Sequence, residues 1–204
     1  MRALVVSDLH GEEAALEKVV ARAKDYDHVL VAGDMGGGQG FAKEIAALGN
    51  VFAVPGNGDG EFLERIFGGR FVHARRVGLE EGLNLVGFGY SPPTPFHTPL
   101  EFPEDKLYGW MKGLPIDGDT IFMTHAPPYG IMDEVRGGHA GSAAVKRVIG
   151  EKRPLLNVCG HIHEREGVGK LGNTSVLKVG AAKLGRCGTI EIKKGKLELG
   201  NMEL

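Results

Sequence analysis

Short, unbroken apolar runs recur along the chain, each followed within two residues by a glycine or a polar group. The first is Ala3-Leu4-Val5-Val6, and an uninterrupted run of this kind is what a strand buried on both faces requires. Similar runs predict strands over 28–32, 51–54, 84–89, 120–124 and 155–159. Between the first two, Leu16, Val19, Val20 and Ala23 fall at helical spacing behind Glu12 and Glu13, acids that suit a helix N-terminus. Helices are also expected over 41–48, 61–67, 105–112 and 142–149, the last capped by Ser142. Strands over 174–179, 188–192 and 196–200 complete the pattern, the final pair turning on Lys194-Gly195. Pro92, Pro93, Pro95, Pro99 and Pro103 mark a segment that is neither strand nor helix interior. The first third implies parallel βαβ units and the last third antiparallel hairpins. An α/β class with mixed sheet is expected, as one domain over 1–204.

Composition narrows the possibilities. Of 204 residues, 42% are hydrophobic and 25% charged, which excludes a disordered or collagen-like chain. No run approaches the roughly 20 apolar residues of a membrane-spanning helix. Asp8 and His10 arrive too early for a signal peptide. Cys159 and Cys187 cannot supply a disulfide framework and fit a reducing cytoplasm, the expected location. A net charge of −2 argues against stable nucleic-acid binding. It leaves open an enzyme for small phosphodiester or nucleotide-like substrates, to which a metal brings the positive charge. The 33 glycines are clustered around 36–40, 56–60 and 137–141, as tight loops between regular elements.

Five of the loops behind apolar runs carry metal-compatible side chains. They are Ser7-Asp8-Leu9-His10, Gly33-Asp34, Gly56-Asn57-Gly58-Asp59, Thr124-His125 and Gly160-His161-Ile162-His163-Glu164. Taken singly each has a bland reading: Asp beside Gly is usually a turn residue, and a lone His is more often structural. Their conjunction is a different matter, because ligands in open α/β sheets bind beyond the carboxyl ends of strands. Two carboxylates, four histidines and one amide oxygen suit two divalent transition metals sharing one carboxylate, for which Asp34 is the natural candidate. Manganese is the first choice, with iron, nickel or zinc as alternatives; histidines argue against calcium or magnesium alone.

The series DxH, GD, GNxD, H and GHxH resembles the calcineurin-like metallophosphoesterases, from Asp8 to His163. That resemblance implies a four-layer αββα sandwich of two mixed sheets flanked by helices, with a dinuclear centre at the sheet edge. It implies that Asp8, His10 and His163 hold one metal, that Asn57, His125 and His161 hold the second, and that Asp34 bridges them. The activity it implies is phosphoesterase, with a phosphodiesterase expected. A phosphomonoesterase is the alternative within the enzyme class, and a protein-interaction scaffold on the same fold is the alternative outside it.

One position departs from the family pattern. Most members carry His where this chain has Gly58, and that His contacts the scissile phosphate as an acid. Loss of a general acid slows a reaction by about 10²–10⁴. Leaving groups that depart without protonation, or strained cyclic esters, are therefore expected to be favoured. In Arg136-Gly137-Gly138-His139, His139 or Arg136 touching phosphate is one reading and a solvated glycine loop the other. Asp59 is either an acceptor that orients a metal-bound histidine or a cap for the helix after it. His97 belongs to the Pro-rich loop, Cys159 is read as a packed thiol, and Glu164 as a support residue or an exposed turn. His28 and His73 are read as ordinary.

Overall fold

A computed structural model describes residues 1–204. The first third runs β1 (Arg2–Val6), α1 (Glu13–Ala23), β2 (His28–Ala32), α2 (Gly38–Ala46), β3 (Val51–Val54) and α3 (Leu63–Phe67). Next come β4 (Arg76–Gly78), β5 (Asn84–Phe88), α4 (Glu104–Met111), β6 (Thr120–Thr124), the short strands β7 (Glu134–Val135) and β8 (Gly138–His139), and α5 (Ala143–Lys152). The chain closes with β9 (Leu156–Cys159), β10 (Gly167–Leu171), β11 (Thr174–Lys178), β12 (Arg186–Lys193) and β13 (Lys196–Glu203).

Two mixed sheets result. One is five-stranded in the order β13-β12-β1-β2-β3, with β1, β2 and β3 parallel and β12 antiparallel to β1. The other is six-stranded in the order β10-β11-β9-β6-β5-β4, parallel at its centre and antiparallel at both edges. The last third is thus only partly hairpins, since β11 pairs parallel to β9 and takes its hairpin partner from β10. The apolar pattern missed β10 because Gly167 and Gly169 occupy alternate positions in it.

Strand parity explains the layering, since successive side chains point to opposite faces. Leu4, Val6, Val29 and Val31 pack with residues of α1, α2 and α3, including Leu16, Val19, Phe41, Ile45 and Leu63. Their neighbours Ala3, Val5, Leu30 and Ala32 instead meet Leu85, Ile121, Met123, Val158 and Leu177 of the second sheet. Val86, Phe88 and Phe122, on that sheet's far face, pack with α4 and α5 through Leu107, Met111, Val145 and Val148. These three cores are the three interfaces of a helix–sheet–sheet–helix stack, and they explain why the central runs are apolar on both faces.

His73, read from the sequence as ordinary, lies largely buried against Phe88 and Tyr90, with ring centroids 5.0 and 4.4 Å away. Its Nδ1 accepts from the Gly89 amide at 2.9 Å. Burial pushes its pKa down to about 4. A folded-state pKa below the unfolded one means stability that is complete above the unfolded value and is lost as pH falls towards the folded one. The unfolding free energy from urea titrations is therefore expected to decline as pH falls from about 6.5 to about 4, by up to about 3 kcal/mol from this group. His73→Gln, which removes the titration, makes that decline shallower.

Candidate metal centre

Strand ends deliver the chemistry. Asp8 and His10 follow β1, Asp34 follows β2, Asn57 follows β3, His125 follows β6, and His161 and His163 follow β9. Backbone hydrogen bonds lace the first two loops together: Asp8 N donates to Gly33 O at 3.0 Å, His10 N to Asp34 O at 3.0 Å, and Gly11 N to Met35 O at 2.8 Å. Close approach between the loops demands glycine at two points. A Cβ on Gly56 would run into the Asp34 carboxylate, and one on Gly160 into the Ser7 side chain. Asp8, His10, Asp34 and His161 hold left-handed backbone, with φ of 58°, 49°, 51° and 72°. Such non-glycine conformations persist only where the surroundings enforce them, and they gather at functional sites.

The seven side chains named from the sequence come together. Asp8 Oδ1 lies 3.1 Å from His163 Nε2 and 3.7 Å from His10 Nε2. Asp34 Oδ2 stands between two imidazoles, 3.8 Å from His10 Nε2 and 3.6 Å from His125 Nε2. Its other oxygen accepts from the Gly58 amide at 2.9 Å. On the far side, His125 Nε2 is 2.8 Å from Asn57 Oδ1 and 3.1 Å from His161 Nδ1. Burial, with His125 beside it, pushes the His161 pKa down to about 3, which keeps one ring nitrogen unprotonated at neutral pH. Burial works against the Asp8 carboxylate, yet the neighbouring imidazoles of His10 and His163 outweigh it and hold the group well below the usual range. Asp8 Oδ2 also accepts from the His161 amide at 2.8 Å, tying the first loop to the last.

The donor set suits cations. His125 Nδ1 faces the Ala32 carbonyl at 2.7 Å, which assigns its proton there and leaves Nε2 as an acceptor. Asn57 Nδ2 donates to Thr98 Oγ1 at 2.7 Å, so its Oδ1 is the atom turned towards His125. Lone pair thus faces lone pair at hydrogen-bond distance, an arrangement that a metal ion relieves. Asp8, His10 and His163 form one such group, and Asp8, Asp34 and His125 another, sharing the Asp8 carboxylate.

Above the donors opens a cleft of about 840 Å³. His10, Asp34, Asn57, His161 and His163 lie at its floor, while Asp8 and His125 are buried. Residues 92–96 and Thr98 form one wall, and Val135, His139 and Ala140 line it too, with Glu164 and Lys183. His97 is exposed and outside the lining, as is Arg136, so neither reaches the cleft. His139 does. Its Nδ1 is 2.6 Å from Asp133 Oδ1, and buried Asp133 is anchored by the amides of Gly130 and Gly141 at 3.0 and 2.9 Å.

Asp59 takes neither of its two expected positions. Its carboxylate accepts from the amides of Met35, Gly36 and Gly56 at 3.3, 3.2 and 2.8 Å, clamping the Asp34 loop to the Asn57 loop. The helix beyond it begins at Leu63 with Phe62 at the cap position and no side-chain cap. Ser142 does cap α5, accepting from Val145 N at 3.1 Å. Cys159 is fully buried, and burial pushes its thiol up to about 12, as suits a packed side chain. His28 faces Glu80 at 2.9 Å.

Four supporting residues escaped sequence reasoning: Asp133, Thr98, Glu101 and Lys178, of which Lys178 is the most deeply placed. Its buried Nζ donates to the carbonyls of Ile162, Arg165 and Val179 at 2.6, 3.0 and 2.8 Å, holding the loop between His161 and His163. The available signal was a lysine inside the strand expected over 174–179, after Val176 and Leu177.

Fold and donor cluster together define an α/β protein of the phosphoesterase type. The model of the calcineurin-like phosphoesterase superfamily domain matches residues 1–192, and the chain belongs to that superfamily. An uncharacterized protein of Methanocaldococcus jannaschii is 33% identical over 192 residues, covering 87% of each chain. A protein of Thermus thermophilus shares the fold with a TM-score of 0.71 at 21% identity over 98% of both chains. A dimetal phosphatase from Danio rerio superposes with a TM-score of 0.72 at 10% identity, over 100% of this chain and 96% of that one. An archaeal phosphodiesterase superposes at 0.57 and 14% identity, over 99% and 100%.

Proposed function

We propose that this chain is a metal-dependent phosphodiesterase acting on small phosphodiester or nucleotide-like substrates. The observation that carries the reading is the meeting of seven donor side chains, five of them lining the cleft and Asp8 and His125 buried beneath, with Asp34 Oδ2 between His10 and His125. In this reading Asp8, His10 and His163 hold one divalent transition metal, Asn57, His125 and His161 the second, and Asp34 both. When bound, such a pair lowers the pKa of water towards neutrality and neutralises phosphate oxygens. By analogy of fold, the Danio rerio dimetal phosphatase supports the pair of metals and the archaeal phosphodiesterase the choice of ester.

The chain's own residues do the rest. Gly58 has no side chain to meet the phosphate, but its amide is fixed on Asp34 Oδ1. His139 is the one imidazole lining the cleft outside the donor set. Buried Asp133 holds its Nδ1 at 2.6 Å, which leaves Nε2 as the nitrogen free to meet a substrate. We assign His139 as the acid: as the oxygen of a hydroxide bonds to phosphorus, the bond to the leaving oxygen breaks and that oxygen takes the proton from Nε2, leaving a neutral imidazole whose remaining proton is on Nδ1 towards Asp133. Lys183 adds a cationic wall for an anionic substrate. A diester preference over monoesters follows from the absence of His at position 58. No helix is long and apolar enough to cross a membrane, both cysteines are free and buried, and a cytoplasmic location is proposed.

A screen of the purified protein with Mn²⁺, Fe²⁺, Ni²⁺ and Zn²⁺ against aryl diesters, cyclic nucleotides and aryl monoesters tests this. Metal-dependent diester turnover is expected. A protein that binds no transition metal and turns over none of these esters would be a scaffold instead.

A further inference from the structure

Asn57 is the only amide among the seven donors, and an amide has two ends. Turned one way it offers a lone pair to a cation; turned the other it offers N–H groups, which no cation accepts. Something must decide between them, and the deciding groups lie on the Pro-rich segment. Glu101 sits at their head. Its carboxylate accepts from Thr94 N and Oγ1 at 2.8 and 2.5 Å, and from Thr98 N and Oγ1 at 2.9 and 2.5 Å. Burial raises its pKa, but these bonds outweigh burial and bring it down to about 2, so it only accepts at working pH. Thr98 has one hydroxyl proton and gives it to Glu101; its oxygen is left to accept, and Asn57 Nδ2 donates to it at 2.7 Å. Oδ1 is thereby turned to the donor cluster, 2.8 Å from His125 Nε2. Leu100 N donates to Asn57 O at 3.0 Å and fixes the same loop from the backbone side.

We propose that Glu101 and Thr98 are positioning residues that fix the Asn57 amide with its oxygen towards the metal, through a carboxylate–hydroxyl–amide relay. This rests on the metal-centre reading above and deepens it. The same carboxylate shapes Thr94 to Thr98, whose Pro92–Phe96 neighbourhood walls the cleft, so one side chain sets both a metal donor and the substrate wall.

The probe is Mn²⁺ alone, titrated into metal-free protein by calorimetry. Thr98→Val keeps the side chain's shape and removes the hydroxyl. It is expected to weaken binding of one Mn²⁺ by about 10–100-fold, the range for groups that orient a metal ligand, and to leave the other unchanged. Thr98→Ser restores the wild-type isotherm, which a loss of mere packing would not predict. Glu101→Gln keeps its size but offers Thr98 a donor, and gives a loss in the same site. Two Mn²⁺ bound with unchanged affinity by both Thr98→Val and Glu101→Gln overturn the relay while leaving the metal centre standing. Fewer than two Mn²⁺ on the wild type overturn the metal-centre reading and the relay with it.

Discussion

Asp34→Asn is expected to reduce bound Mn²⁺ from two ions to one and to cut aryl phosphodiester turnover by at least about 10³-fold, beyond the 10²–10³ typical of losing one hydrogen-bond donor to developing charge. Asparagine is the informative replacement because position 34 has φ 51°, and Asn tolerates left-handed backbone where alanine strains. The amide can still accept from Gly58 N through Oδ1, so the loop stays in place. What it loses is the charge and basicity of Oδ2, the atom standing 3.8 Å from His10 and 3.6 Å from His125. Metal content by elemental analysis and turnover on one preparation read both effects. Two ions retained at wild-type affinity would mean that Asp34 is not the carboxylate the two ions share.

His139→Ala is expected to separate substrates by leaving group. With an alkyl phosphodiester, whose alkoxide departs poorly without a proton, turnover falls by about 10²–10⁴-fold, the range for general acid catalysis. With a nitrophenyl diester, whose phenolate needs no proton, it changes by no more than about a few-fold. The variant thus shows the leaving-group bias that Gly58 alone would impose. Equal losses on both substrates would make His139 a binding group, and no loss on either would leave it a surface residue held by Asp133.

Much of this was legible before any coordinates. The runs at Ala3–Val6, 28–32, 51–54 and 120–124 announce strands covered on both faces, and the loops behind them announce the donors. What stayed hidden has physical causes. β4, Arg76–Gly78, is a short edge strand without a buried residue, so it carries no apolar signature. The strands β7 and β8 are two residues each, and only their pairing places His139 over the cleft. Asp59 illustrates a different limit. Its spacing before a helix suggests a cap, whereas its partners are amides 23 and 24 positions upstream, together with Gly56. Lys178, Thr98 and Glu101 act through carbonyls, hydroxyls and amides, and no residue spacing encodes such contacts. The left-handed backbone at four donor positions was equally unreadable, since Asp and His adopt it only where the loops compel them.

The donors are divided between the two sheets. Asp8, His10, Asp34 and Asn57 are carried by the five-stranded sheet, and His125, His161 and His163 by the six-stranded one. Ions held between them would rivet one layer to the other, a reversible crosslink closing loops of up to 155 intervening steps of chain. A cation at a thousand times its dissociation constant adds about 4 kcal/mol to the native state. Here that increment would fall on the seam between the halves, making chelation an uncoupling of the sandwich as well as a loss of catalysis.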